Sequence, residues 1–130
     1  MTPTAEDRVN ILALYGRYSH AIDTGNREMF ALCFTEDGVL NTMGDPIVGH
    51  DAIGDFGEGT HAMLPALRHQ ASNIVIEVDG DTAAAAAFIV AYTVDTGFNV
   101  IITGRYADEF RRTADGWRIS SRLFTADQTS

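Results

Sequence analysis

Apolar residues recur at helical spacing through the start of the chain, at Val9, Ile11, Leu12, Leu14, Tyr15, Tyr18, Ala21 and Ile22. Thr4 offers a capping hydroxyl, Glu6 and Asp7 put acids in the first turn, and Gly25 is a natural stop. The pattern predicts a helix from Thr4 to Thr24. Asn26 then caps a short helix with Met29, Phe30, Leu32, Cys33 and Phe34 as its apolar positions, broken at Glu36-Asp37-Gly38. Val39 to Met43 and Pro46 to Gly49 read as a short hairpin through Gly44-Asp45. Asp51 is placed to cap a third helix through Ala52, Ile53 and Phe56. Gly54, Gly57 and Gly59 weaken that helix, so Gly57 to Pro65 is expected to be a mobile lid or an irregular turn.

The second half changes period from helical to alternating. Leu67 to Val78 places Leu67, His69, Ala71, Asn73 and Val75 on one face and Ile74, Ile76 and Val78 on the other. Asp79-Gly80 signals a turn. In Thr82 to Asp95 an alanine run favours helix, whereas Phe88-Ile89-Val90 and Tyr92-Thr93-Val94 favour strand; the flanking turns decide for strand. Phe98 to Arg112 and Trp117 to Thr125 complete the set across Ala114-Asp115-Gly116. Helices followed by consecutive antiparallel strands make one α+β domain, a curved antiparallel sheet wrapped around N-terminal helices to form a pocket.

Composition narrows the partners. At 130 residues, with 45% hydrophobic positions, the chain has the size of a single domain with an ordinary core. The formal charge of −9 repels nucleic-acid backbones and anionic lipids. The densest basic set, Arg105, Arg111, Arg112, Arg118 and Arg122, is interleaved with Asp108, Glu109 and Asp115. Neither nucleic acid nor membrane is therefore expected as a partner. No apolar run approaches the ~18 residues of a membrane span. Met1 to Asn10 lacks a basic-plus-apolar leader, which makes a cytoplasmic address the expectation. The single cysteine, Cys33, sits among apolar positions and reads as core. His20, His50 and His61 lack the close spacing of zinc ligands, so no metal is expected. Gly54 to Gly59 is not followed by the Lys-Ser or Lys-Thr of a phosphate loop.

Six segments, in order, resemble those of the SnoaL-like proteins: Tyr18 to Asn26 (YSHAIDTGN), Phe34 to Leu40 (FTEDGVL), Gly49 to Ile53 (GHDAI), Arg68-His69 with Asn73, Gly104-Arg105-Tyr106, and Asp115 to Ile119 (DGWRI). That family has the cone-shaped nuclear transport factor 2-like fold, alongside scytalone dehydratase, bile-acid dehydratases and ketosteroid isomerases. The resemblance implies an aspartate near the end of the first helix that holds a histidine on the first long strand, the histidine removing a proton from the substrate. By motif these positions are Asp23 and His69. It also implies a further polar catalytic group in the region of Tyr92. No second histidine occurs in Ala83 to Asp95, where scytalone dehydratase has one.

Each candidate also has a plainer reading. Asp23 lies in the last helical turn, where an ionised carboxylate is mildly disfavoured, and Asp-Thr-Gly-Asn is also a common helix ending. His69 has apolar neighbours on its strand face, which suits either a general base or a core histidine bonded to backbone. Asn73, roughly 13 Å along that face, is expected to bind a substrate carbonyl or to stabilise the strand edge. Tyr15, Tyr18, Tyr92 and Tyr106 are hydroxyl candidates for orienting a carbonyl, or packing residues. Arg122 is a candidate for a carboxylate or enolate, or for a salt bridge on the strand face.

The leading expectation is a lyase or isomerase without a cofactor, acting on a small, mostly apolar cyclic carbonyl compound by dehydration, isomerisation or cyclisation. A non-catalytic binding or assembly module of the same fold is the alternative. An aspartate base acting alone, as in ketosteroid isomerase, is a third. A pocket of several hundred Å³ containing both Asp23 and His69 would go with the enzyme, and a filled cone with the module. Ile74, Ile76 and Val78, read as facing outward, predict a homodimer or homotrimer that covers them.

Overall fold

Helix α1 (Ala5–Thr24) starts at a capping box: Thr4 Oγ1 accepts from the Asp7 amide, and the Asp7 carboxylate accepts from the Thr4 amide. It ends at Gly25, whose left-handed backbone (φ 72°) is closed over by the His61 ring. Ile11, Leu14, Tyr15, Tyr18, Ala21 and Ile22 form its buried face. The computed structural model describes residues 4–127. Beyond α1 it comprises α2 (Arg27–Leu32), β1 (Phe34–Asn41), β2 (Ile47–Val48), α3 (His50–Met63), β3 (Leu67–Asp79), β4 (Thr82–Thr93), β5 (Asn99–Thr113) and β6 (Gly116–Ala126).

The strands make one sheet in the order β2-β1-β6-β5-β4-β3. Pairing is antiparallel except between β1 and β6, which run parallel, a departure from the wholly antiparallel sheet expected. That parallel neighbour is possible because α3 and the long β3–β6 meander separate the two strands in sequence. The alanine-rich segment is a strand throughout, paired on both sides. Ala83, Ala85, Ala87, Ile89 and Ala91 alternate inward and are buried. Cys33 is in the core, and burial pushes its thiol up to about 11.

Three local expectations change. β1 begins at Phe34, and Glu36-Asp37-Gly38 is absorbed as an irregularity within the strand, where the register with β6 shifts between Phe34 and Val39. α3 runs unbroken from His50 to Met63, with no lid or turn at its glycines, and Gly49 rather than Asp51 stands at its cap. A Cβ at Gly57 would sit 2.5 Å from the Phe30 ring, and one at Gly54 3.0 Å from Arg27. These glycines are where α2 packs against α3, so what reads locally as weakness is a close helix contact.

The third change reverses half a strand. Asn73 has φ 55°, and the β3–β4 register slips between Ser72 and Val75. The extra residue turns the strand over, so Leu67, His69 and Ala71 face inward before the bulge and Ile74, Ile76 and Val78 face inward after it. Asn73 and Val75 are exposed. The expected outward face of Ile74, Ile76 and Val78 is thus part of the core, and Asn73 does not share a face with His69.

One ion pair lies at the centre of the core. Arg122 and Asp108 have fully buried side chains and form two hydrogen bonds, Nε to Oδ1 at 2.8 Å and Nη2 to Oδ2 at 2.9 Å. Tyr15 donates to the same carboxylate. Nη1 of Arg122 has no hydrogen-bond partner. The guanidinium carbon lies 3.9, 4.3 and 4.9 Å from the ring centres of Tyr106, Tyr18 and Tyr15. Burial works against the guanidinium charge, but Asp108 more than offsets it, and its pKa is raised. At the helix start, Asp7 accepts from Trp117 Nε1 at 3.1 Å and pairs with Arg112 at 3.0 Å, tying α1 to the β5–β6 hairpin.

Two stability predictions follow from the strained and the buried positions. Asn73→Val, a β-branched residue forced to positive φ, should lose about 1–3 kcal/mol in urea denaturation, while Asn73→Gly stays near the parent. Asp108→Asn leaves Arg122 as an uncompensated buried charge and should cost about 3–5 kcal/mol, more than the paired replacement Asp108→Leu/Arg122→Met. Equal losses for the single and the double variant would show that the charge pair is not what holds this part of the core.

Candidate functional site

β3 is an edge strand, so the amides along its outer side have no neighbouring strand. At His69 the missing acceptor is supplied by α1. Asp23 Oδ2 accepts the His69 backbone N–H at 2.9 Å, and Asp23 Oδ1 lies 2.7 Å from His69 Nδ1. Asp23 can reach because it stands in the last turn of α1, just before the chain leaves at Gly25. The unfavourable position of a carboxylate at a helix C-terminus is offset by these two hydrogen bonds. Both side chains are sheltered, 12% exposed for Asp23 and 14% for His69.

An ionised carboxylate only accepts, so Nδ1 is the donor in this contact, and in the neutral imidazole Nε2 is the nitrogen that keeps its lone pair. Among the described residues, no protein group bonds to Nε2. His69 lines a cavity of about 220 Å³ at the open end of the sheet. The rest of the wall is mainly apolar, with Ile22 from α1, Leu40 from β1, Phe56 from α3, Ile89 from β4 and Phe124 from β6. Met43 reaches both the cavity and solvent, which places it at the rim.

Polar groups on this wall are few: the Tyr18 and Tyr106 hydroxyls, Thr42 and Thr60. The Thr60 hydroxyl is used within its own helix, donating to the Phe56 carbonyl at 2.8 Å. Burial raises the pKa of Tyr18 and, strongly, that of Tyr106, against the opposing pull of Arg122. Both phenols therefore stay protonated donors at any physiological pH. Behind them the buried Arg122 presents a positive charge to both rings. The cavity thus has His69 in one part of its wall and two tyrosines, backed by a buried cation, in another.

Of the residues expected at the site, His69, Tyr18 and Tyr106 line the cavity together. Asp23 does not line it and sits behind His69. Tyr15 and Arg122 lie deeper, bonded to Asp108, and do not reach the cavity. Tyr92 also lies outside it, with its ring 4.5 Å from Phe98 and its hydroxyl 3.4 Å from Gln70 Oε1. Asn73 is turned outward by the bulge. The cavity is smaller than the several hundred Å³ set as the mark of an enzyme pocket.

The residues that sequence reasoning missed are Asp108, Phe56 and Thr60. Alternation along Tyr106, Asp108 and Phe110 places an aspartate on the core side of β5, a signal that was available. Phe56 and Thr60 were hidden by the glycines around them. Among the described residues, no group of three or more His, Cys, Asp or Glu is arranged to hold a metal ion. His50 is engaged with the Phe34 carbonyl at 2.8 Å.

The comparisons agree on the family. A SnoaL-like domain model matches residues 3–123. An uncharacterised protein of Mycobacterium tuberculosis is 32% identical over 124 residues, covering 92% of this chain and 84% of its own. Among solved structures, an NTF2-like protein with a cystatin-like fold from Novosphingobium aromaticivorans superposes with a TM-score of 0.90 at 32% identity, over 96% of this chain and 84% of that one. A protein from Catenulispora acidiphila, solved in complex with S-DNPA, gives 0.84 at 29% identity over 95% and 96%. A Mycobacterium tuberculosis protein of unknown function gives 0.91 at 31% over 97% and 79%. With the cone of strands, the helix-held histidine and the family match in agreement, this chain belongs to the SnoaL-like domain family of the NTF2-like, cystatin-like fold.

Proposed function

We propose that this protein is a lyase or isomerase that needs no cofactor, with His69 as general base, acting on a compact, mostly apolar cyclic carbonyl compound. The observation that carries the reading is the 2.7 Å contact between Asp23 and His69 Nδ1, with His69 in the wall of an apolar cavity. Nε2 takes a proton from carbon next to the carbonyl, and Asp23 stabilises the imidazolium that results. Negative charge then develops on the carbonyl oxygen, where the Tyr18 and Tyr106 hydroxyls are available as donors and Arg122 adds its field from behind. Return of the proton at a different carbon gives isomerisation, whereas loss of a β-hydroxyl as water gives dehydration.

An aspartate base acting alone fits less well, because both oxygens of Asp23 are occupied by His69. The size of the cavity favours a second reading, a small-ligand-binding module, since about 220 Å³ lies below the ~300–1,000 Å³ usual for ligand pockets. That same size supports a one- or two-ring substrate. The Catenulispora relative was solved in complex with S-DNPA, and a ligand-binding role for this chain goes with either reading.

Screening cyclic enones and β-hydroxy ketones for carbon-bound proton exchange in heavy water separates the two. The enzyme should exchange at least one compound, with His69→Ala lowering the rate about 10²–10⁴-fold while the far-ultraviolet spectrum stays that of the folded parent. Tyr106→Phe should reduce the rate by roughly ten- to a hundredfold by removing one donor to the developing oxyanion. Exchange undiminished in His69→Ala would remove the base, and tight binding with no exchange in the parent protein would leave the module.

A further inference from the structure

α3 presents two adjacent faces to the rest of the molecule. On one, Phe56 and Thr60 line the cavity. On the other, Gly54 and Gly57 let α2 approach, with Arg27 against the first and the Phe30 ring against the second. His61 continues this second face one turn beyond Gly57, and its ring covers Gly25, the residue that ends α1. A Cβ at Gly25 would meet three atoms of that ring, Cδ2 at 2.6 Å, Cγ at 3.1 Å and Nε2 at 3.4 Å. Only a residue without a side chain lets the ring come so close. Nδ1 of His61 is buried and has no hydrogen-bond partner among the described residues. A buried nitrogen left unpaired is a cost, so bonding at that atom does not account for the place of the ring. Its flat contact with Gly25 does.

We propose that His61 is a positioning residue: its ring clamps the end of α1 against α3 and so holds Asp23 where it reaches β3. Asp23 lies two residues before Gly25, and its carboxylate accepts the His69 amide at 2.9 Å and lies 2.7 Å from His69 Nδ1. The last turn of a helix frays unless something outside it fixes it. Within the chain's own backbone, the Gly25 and Asn26 amides both close onto the Ala21 carbonyl, which shapes the turn. The His61 ring bears on that turn from a different helix. A shift of about 1 Å there would take both Asp23 contacts out of hydrogen-bond range, and misplacements of that size cost about a hundredfold in rate. The helix that carries the clamp also carries Phe56 and Thr60, so the cavity wall and the Asp23–His69 pair are located by one element. The effect on turnover rests on the reading of His69 as general base; the effect on the Asp23 contacts does not.

Hydrogen–deuterium exchange at the His69 amide tests this without a substrate. β3 is an edge strand and Asp23 is the acceptor of that amide, so its protection reports the position of the carboxylate. His61→Ala should speed its exchange about tenfold or more, while amides in the middle of β4, paired on both sides, keep the rates of the parent. His61→Phe keeps a flat ring over Gly25 and drops the unpaired nitrogen, and should stay within about threefold of the parent. His61→Leu fills space without a flat ring and should match the alanine variant, which it replaces should that variant not fold. In the heavy-water assay, His61→Ala should lower kcat roughly ten- to a hundredfold with KM little changed, and His61→Phe should restore it. Unchanged protection at His69 in His61→Ala, an equal rise in exchange across β4, or a phenylalanine variant that behaves like the alanine one would each overturn the proposal. A parent that exchanges no compound would remove the general-base reading and leave the amide measurement to decide this one.

Discussion

A single carboxylate does the work of a missing strand. β3 closes one edge of the sheet, and its outer amides would face nothing at the level of His69. Asp23 takes that amide with one oxygen and the His69 ring with the other. The backbone and side chain of one residue are thereby fixed by one group at the end of α1. The position of the imidazole follows from the length of the helix, because Asp23 reaches β3 only if α1 ends at Gly25 and the chain turns away. Architecture and chemistry meet at this contact.

The second constraint is electrostatic. A full positive charge at the bottom of the core is expensive, and Arg122 is tolerated because Asp108 holds it with two hydrogen bonds and three aromatic rings lie against it. Two of those rings, Tyr18 and Tyr106, also line the cavity. The charge therefore does not enter the pocket, where it would bind any anion. It acts through intervening phenols, whose hydroxyls are kept protonated by burial. Under the proposed reaction, such a site would favour charge that develops during the reaction over charge already present on the ligand.

Much of this was legible in the sequence because its signals are local and repeated. The cap at Thr4, the stop at Gly25 and the alternation through β4 and β5 each give their element directly. The pairing of Asp23 with His69 was legible only through the family resemblance, since nothing in either segment encodes the other. The bulge at Asn73 was not legible at all. An alternating run carries no mark of where its phase slips, and one left-handed residue moved Ile74, Ile76 and Val78 from the expected outer face into the core. At Gly54 and Gly57 the error had the opposite form. Propensity read flexibility where the helices require close approach, which depends on Phe30 and Arg27 far away in sequence. Asp108 was readable from its phase in β5, but it was taken as one of several charges in a mixed run.

The same alternation that builds the cavity also builds the outer face, and this separates the two. Along β4, Ala87, Ile89 and Ala91 face inward while Ala84, Ala86 and Phe88 face outward; along β5, Tyr106 and Asp108 face inward while Arg105, Ala107 and Glu109 face outward. No side chain belongs to both surfaces, so each can change without altering the contacts of the other. The backbone, however, is shared. A bulge that slips by one residue would exchange the faces of β3 beyond it, placing Val75 in the core and Ile74 outside. The φ of 55° at Asn73 is therefore a condition for the cavity and for the outer face at once.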